Sequence, residues 1–267
     1  MKLMVLTDIE GVTGVTTYQQ AEGTPFGQRM LMNDLDALLA GLLDNGEQEI
    51  VVYDEHTDGR NVVLDSLPEQ VSVVCGKPLV SEYWKGIDRS YDGMVMLGFH
   101  ARSGVAGALL PHSYSRKHLN IRVNGRPVGE IGIKAAMAGD AGVPVLLVTG
   151  DSAGMLEAEE LLRGVRTVTV KDAVGEFEAV CHSPAWTWRR IREAAAGIVA
   201  DPPQVAPLTF SAPVDLEVEL APSEYLEQLK AARPDLLASD NEVRLTAGSL
   251  TEAWMAYLGV QREVRRN

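Results

Sequence analysis

Asp8 and Glu10 follow directly on the apolar run Leu3-Met4-Val5-Leu6-Thr7, and the pattern recurs down the chain. Val51-Val52-Tyr53 leads into Asp54-Glu55-His56. Met94-Val95-Met96-Leu97-Gly98-Phe99 leads into His100, and Val145-Leu146-Leu147-Val148-Thr149-Gly150 into Asp151. A short apolar run ending in a polar residue reads as a buried strand that delivers that side chain to its C-terminal tip. In open α/β sheets, ligands and chemistry gather at those tips. Imidazole mixed with carboxylate suits zinc or another first-row divalent ion. Asp8, Glu10, Asp54, His56, His100 and Glu130 all stand near the ends of expected elements, and five such ligands are more than one catalytic zinc takes and suit two ions that share a carboxylate. Asp8, earliest and most central, is the natural bridge. A water held between two such ions would be hydroxide near neutral pH and could attack a carbonyl.

Each residue also has a plainer reading. Acids that follow strands cap helices, and Asp151 takes that role first. Asp54 serves equally to orient His56 from behind. His100, taken alone, reads as a hydrogen-bonded loop histidine. His112, in Pro111-His112-Ser113-Tyr114-Ser115, is either a proton shuttle or a structural loop residue. His118, beside Arg116 and Lys117, is expected at the surface. Glu130 follows Gly129 at a helix start, where the helix dipole favours a carboxylate whether or not a metal is near. From the residues alone these alternatives stay open. No HExxH, paired CxxC or GxSxG occurs, and Gly11-Val12-Thr13-Gly14 lacks the Walker lysine and reads as a turn.

The elements that must position these groups alternate along the first half. Residues 24–43 form a helix with Leu31, Leu35, Leu38, Leu39 and Leu42 on one face, closed by Asn45-Gly46. Strands are expected at 49–54, 71–74, 91–99 and 145–149. Helices are expected at 129–142 and 152–162, with a weak one at 80–86. Alternating strands and helices imply a doubly wound, mainly parallel α/β sheet. Beyond residue 165 the pattern changes. Strands at 165–170, 177–181, 214–220 and 243–246 are joined by helices that begin at Ser183-Pro184 and near Ser223. A capping box, Ser249-Leu250-Thr251-Glu252, opens the last helix. The expected division is a catalytic, metal-binding α/β domain over 1–165 and a smaller α+β domain over 166–267 that serves oligomer contacts.

The chain's 267 residues suffice for one large or two modest domains. Its formal charge of -13 argues against nucleic acid and anionic lipid as partners, because both need a basic face. Cys75 and Cys181 are expected as reduced, buried thiols in strands, which fits a reducing compartment. The first apolar stretch is too short for a signal peptide, and no run approaches the ~20 residues of a membrane span, so a cytoplasmic protein is expected.

At these same residues the chain resembles the bacterial D-aminopeptidase family of dipeptide-operon proteins, the M55 zinc peptidases. The motifs that carry the resemblance are Asp8-Ile9-Glu10-Gly11-Val12-Thr13-Gly14, Asp54-Glu55-His56, Gly98-Phe99-His100-Ala101-Arg102, His112-Ser113 and Arg126-Pro127-Val128-Gly129-Glu130. They stand in the family's order with no departure, clearly to about residue 185 and in outline beyond. The resemblance implies a zinc aminopeptidase acting on short peptides with an N-terminal D-residue. Asp8 would bridge two Zn2+ per chain, Glu10, His56, His100 and Glu130 would complete their coordination, and His112 would be the catalytic histidine. It also implies a homodecamer of two stacked pentameric rings. Three rivals remain. A murein-peptide or other small amide hydrolase could use the same site. A non-catalytic dipeptide-binding protein would keep the fold without needing five ligands. A two-metal phosphatase is disfavoured by the lack of an arginine cluster or phosphate loop.

Overall fold

The computed structural model describes residues 1–46, 48–76 and 87–266. The first-half alternation builds β1 (Lys2–Thr7), a short α1 (Tyr18–Ala21), α2 (Pro25–Leu43), β2 (Glu49–Asp54), β3 (Val71–Val74) and β4 (Gly93–Phe99). After them come β5 (His118–Val123), β6 (Arg126–Pro127), α3 (Glu130–Asp140), β7 (Val145–Asp151) and α4 (Ser152–Leu161). The remainder is β8 (Arg166–Gly175), β9 (Glu178–Cys181), α5 (Pro184–Ala200), β10 (Val214–Leu220), α6 (Glu224–Ala232), β11 (Glu242–Ala247) and α7 (Leu250–Arg266). The helix expected at 80–86 lies outside the described residues.

A seven-stranded sheet runs β3-β2-β1-β4-β7-β8-β9, parallel except for the last strand, which pairs antiparallel with β8. A second, antiparallel sheet runs β11-β10-β5-β6. This is the α/β architecture expected, with a smaller antiparallel layer. The sheets do not divide at residue 165. β8, β9 and α5 extend the large sheet and its layer, whereas β5 and β6 join the small sheet from within the first half.

The central strands are buried on both faces, so their apolar residues run without alternation. Leu3 and Val5 of β1 pack with Leu31, Leu35 and Leu38 of α2 and Ile191 of α5. Met4 and Leu6 face the opposite layer, with Ile131 of α3, Val218 of β10 and Trp254 of α7. β10 alternates buried and half-buried residues, as a strand covered on one face must. Helix starts follow local chemistry. Thr24, Asp151, Ser183 and Ser223 each accept a backbone N–H as N-cap, and Pro25 and Pro184 stand at the first helical turn. In α7, Glu252 reaches back to the Gly248 N–H while its own N–H donates to Ser249, a capping box displaced by one residue.

Cys75 and Cys181 are exposed rather than buried. Cys181 ends the edge strand β9, and Cys75 follows β3 at the other edge, so neither has a layer above it.

Candidate metal centre

In the strand order, chain connections leave β1 toward β2 on one side, while β4 lies on its other side. A crevice forms at such a switch point, outside the carboxyl ends of the strands. Asp8 and Glu10 leave β1 there, His100 leaves β4, and His56 leaves β2. Two glycines let the tips converge. Gly98 has φ +79°, and a Cβ on it would lie 2.3 Å from the Asp8 carbonyl oxygen. A Cβ on Gly11 would lie 2.0 Å from the Phe99 carbonyl oxygen. Across this contact the Asp8 N–H donates to Leu97 O and the Gly11 N–H to Gly98 O.

Asp8 turns its two oxygens to different imidazoles. Oδ1 lies 2.9 Å from His56 Nδ1, and Oδ2 lies 3.4 Å from His100 Nε2. Glu10 Oε2 lies 3.1 Å from His56 Nδ1, and Glu130 Oε1 lies 3.6 Å from His100 Nε2. One donor atom each from Asp8, Glu10 and His100 lies within 4.8 Å of the other two, and the same holds for His100, His112 and Glu130. Zinc bonds of about 2.0–2.2 Å imply donor–donor edges of about 3.3–3.6 Å, close to this spacing. Asp8 Oδ2, Glu10 Oε2, His56 Nε2 and His100 Nε2 are buried with no hydrogen-bond partner among the described residues. Buried polar atoms normally have partners, and oxygen and nitrogen donors so gathered fit a divalent ion.

The histidines are oriented from behind. His100 Nδ1 lies 2.9 Å from Ala101 O, and His112 Nδ1 lies 3.0 Å from Leu110 O. A carbonyl only accepts, so each Nδ1 carries a hydrogen and each Nε2 points inward, where it can offer a lone pair to a metal once its own proton is gone. The His112 ring stacks on His100, and its Nε2 lies 3.7 Å from Glu10 Oε1 and 3.8 Å from Glu130 Oε1. Leu110 (φ +48°) and Tyr114 (φ +58°) bracket His112, and Thr57 (φ +50°) follows His56. Three non-glycine residues in the left-handed region beside one site mark stored backbone strain.

Glu130 opens α3 without a side-chain cap before it, and its Oε1 accepts the Tyr114 N–H at 2.7 Å. It therefore helps hold the His112 loop. Asp54 does not touch the His56 ring. It accepts from Asn61 N–H, Asn61 Nδ2 and Val62 N–H, and Asn61 Nδ2 donates to His56 O, so Asp54 pins the loop that carries His56. Asp151 caps α4, as expected. His118 is buried rather than at the surface. Its Nδ1–H donates to Ser113 O at 2.7 Å, and its Nε2 accepts from Tyr257 OH at 2.9 Å. It ties α7 to the His112 loop.

Charges in the cluster reinforce one another. Burial opposes the charge on His56, but the carboxylates of Asp8 and Glu10 beside its Nδ1 outweigh it and push the imidazole up to about 10. Burial works against Glu10 ionisation, yet His56 and the neighbouring imidazoles hold its carboxyl well below the usual range. His100 is raised in the same way by Glu130 and Asp8 against its burial.

Further residues surround the site that motif reading had not assigned. A cavity of about 340 Å³ opens over the cluster, walled also by Tyr18, Glu55, Tyr114, Arg116 and Lys134. Lys134 and Glu55 pair at 2.8 Å, and the Arg116 guanidinium lies 4.8 Å from the Tyr18 ring centroid. Beneath the cluster, fully buried Lys171 donates to the carbonyls of Glu10 at 2.6 Å, Val12 at 2.7 Å and Val15 at 2.5 Å. Burial pushes its ammonium down to about 8. Buried Asp34 accepts the Thr13 N–H and hydroxyl in the same loop. A lysine inside the apolar run Val168-Thr169-Val170-Lys171 and an aspartate on the leucine face of α2 were visible signals of buried polar contacts.

The chain is similar to known proteins along its whole length. The family model described as Peptidase M55, D-aminopeptidase, matches residues 1–258. A D-aminopeptidase of Bacillus subtilis (strain 168) is 29% identical over 265 residues, spanning 97% of this chain and 96% of the relative. A solved structure, the Zn-dependent D-aminopeptidase DppA from Bacillus subtilis, described as a self-compartmentalizing protease, matches with a TM-score of 0.91 at 28% identity. That match covers 100% of this chain and 99% of the other.

Proposed function

The chain belongs to the M55 D-aminopeptidase family and is a metallo-aminopeptidase, and from that premise we propose that it removes the N-terminal residue of short D-amino-acid-containing peptides with two zinc ions per chain. The observation that carries this reading is the Asp8 carboxylate, whose two oxygens address two different imidazoles. Asp8 would be shared by both ions, with Glu10 and His56 completing one coordination sphere and His100 and Glu130 the other. The zinc dependence of DppA supports the choice of metal. When bound, such a pair supplies Lewis-acid polarisation of the scissile carbonyl and acidification of a water.

The chain's own residues do the rest. His112 Nε2, its ring held by Leu110 O, faces the opening between the two ligand sets. It takes a proton from the attacking water and returns it to the departing amine. The Tyr18 ring, its centroid 5.5 Å from that of His112 and its plane nearly perpendicular, restricts that ring. The acidic wall favours a substrate's α-ammonium group, and a cavity of about 340 Å³ suits a short peptide. The names of the family and of its relatives support the D-preference.

The self-compartmentalizing character of DppA supports an oligomer here, and we propose for it a decamer of two pentameric rings working in the cytoplasm. Val174, Phe177 and Val180 along the β8–β9 edge, with Leu156 of α4, are exposed apolar residues suited to such contacts. No helix among the described residues is long and apolar enough to cross a membrane.

Elemental analysis and a peptide panel test the reading together. Two zinc equivalents per chain and cleavage of D-Ala-D-Ala in preference to L-Ala-L-Ala are expected. Preference for γ-glutamyl or other murein-type peptides would move the assignment to that class of hydrolase, and a metal-free chain that binds but does not cleave would overturn it. Light scattering at the mass of ten chains is expected, and a monomer would remove the ring assembly.

A further inference from the structure

His100 follows β4 and Glu130 opens α3, with β5 and β6 between them in the chain, so local structure does not set their spacing. Between them stands Glu157 of α4, half-buried. Its Oε2 accepts the Arg102 N–H at 2.8 Å and its Oε1 the Gly129 N–H at 3.2 Å. Arg102 is two residues past His100, and Gly129 directly precedes Glu130. The three segments meet closely. A Cβ on Gly129 would lie 2.6 Å from Arg102 Cβ and 2.8 Å from Glu157 Oε1, and one on Gly154, a turn earlier in α4, would lie 3.0 Å from His100 Cα.

A carboxylate suits this place because two backbone N–H groups converge on it and it offers only acceptors. Withdrawal from water pushes Glu157 up, opposed by the Arg102 and Gly129 N–H donors. The other half of the site is fastened separately, since Lys171 holds the Glu10 loop and Asp54 the His56 loop. Each half of the ligand cluster thus has its own support.

We infer that Glu157 is a positioning residue that sets the spacing of His100 and Glu130, and so governs the affinity of one metal ion while leaving the ion of Glu10 and His56 unaffected. The inference rests on the two-ion reading above. It gives the pair unequal sensitivity to a residue that touches neither ion.

Zinc titration of the full chain against a chromophoric chelator tests it, with wild type, Glu157→Gln and Glu157→Asp compared. Gln presents one acceptor and one donor, so one of the two N–H groups loses its partner. Asp keeps the charge but falls short of spanning both. Both variants are expected to stay folded by near-ultraviolet circular dichroism. Both should bind one zinc at wild-type affinity and the other about 10–100-fold more weakly, as for other groups that orient metal ligands. Two ions at wild-type affinity in both variants would overturn the inference. Equal weakening of both ions, or loss of the fold itself, would do so too, as either marks a general structural role. Fewer than two ions in wild type would instead overturn the two-ion reading.

Discussion

The imidazoles of His100 and His112 lie face to face, ring centroids 4.2 Å apart and 4° from parallel. Both anchor Nδ1–H to a carbonyl and turn Nε2 toward carboxylates of the cluster. Their surroundings separate their tasks. His100 Nε2, between Asp8 and Glu130, is buried without a hydrogen-bond partner among the described residues, as a ligand's is, whereas half-buried His112 lines the open cavity. His112→Ala should therefore leave zinc content unchanged and cut turnover by ~10² or more. Metal analysis beside steady-state kinetics measures both, and near-normal turnover would remove His112 from the proton transfer.

Asp8→Asn should affect both ions, because the two oxygens of Asp8 serve different halves of the cluster. Zinc per chain is expected to fall below one, whereas Glu130→Gln, touching one half only, should leave about one ion bound. Elemental analysis after gel filtration reads the difference. Equal losses in the two variants would contradict a shared carboxylate.

Protons and metal compete for the cluster. His56, pushed up to about 10, is protonated at neutral pH in the metal-free protein, and His100 is raised with it by Glu130 and Asp8 against its burial. Zinc binding should then release protons, and its affinity should rise with pH through the neutral range. Calorimetry in buffers of different ionisation enthalpy counts the protons, and a buffer-independent heat would contradict the argument. Stability of the metal-free chain follows the same groups. The raised His56 contributes stability that is fully present below its ordinary 6.5 and is lost as pH climbs through about 10. The lowered Glu10 contributes stability that is present above its ordinary 4.5 and is lost as pH falls below it. Melting temperatures of metal-free protein should therefore peak between these limits.

Lys171→Met removes the donor that three carbonyls share while keeping the length of the side chain. Val12 O keeps the Val15 N–H, but the carbonyls of Glu10 and Val15 lose the ammonium, and at about 1–3 kcal/mol for each buried acceptor left unmade the loss should reach at least about 2 kcal/mol in urea unfolding. Zinc held through Glu10 should weaken as well, because the loop that presents it loses its support. A change within experimental scatter would show that water replaces the ammonium freely.

The convergence of Asp8, Glu10, His56 and His100 was legible because each ends or follows an apolar run, and parallel strands bring such ends to one rim. The main sheet, α2 and the helix caps were legible for similar local reasons. Glu130 and His112 were not separable from a helix-start acid and a loop histidine. Their place depends on Tyr114 N–H meeting Glu130 and on His118 holding the loop to Tyr257, contacts made by distant parts of the chain. His118 was misread because Arg116 and Lys117 suggested an exposed turn, while the small sheet and α7 close over it. The thiols were misread because a strand's composition does not say whether it lies at an edge. Nor does it say which sheet it joins, so β8 and β9 read as the start of a second layer although they extend the first.

What a local stretch of chain can encode is periodicity, capping chemistry and the kind of donor at a strand's end, and these specified an α/β sheet with a metal-suited rim. Which donors meet, which loops fold over them and which buried charges hold them depend on segments far apart in the chain. Glu157 beneath His100 and Glu130, and Lys171 beneath Glu10, belong to that second class. Their hydrogen bonds go to backbone groups, which every residue type carries, so no pattern of side chains could announce them.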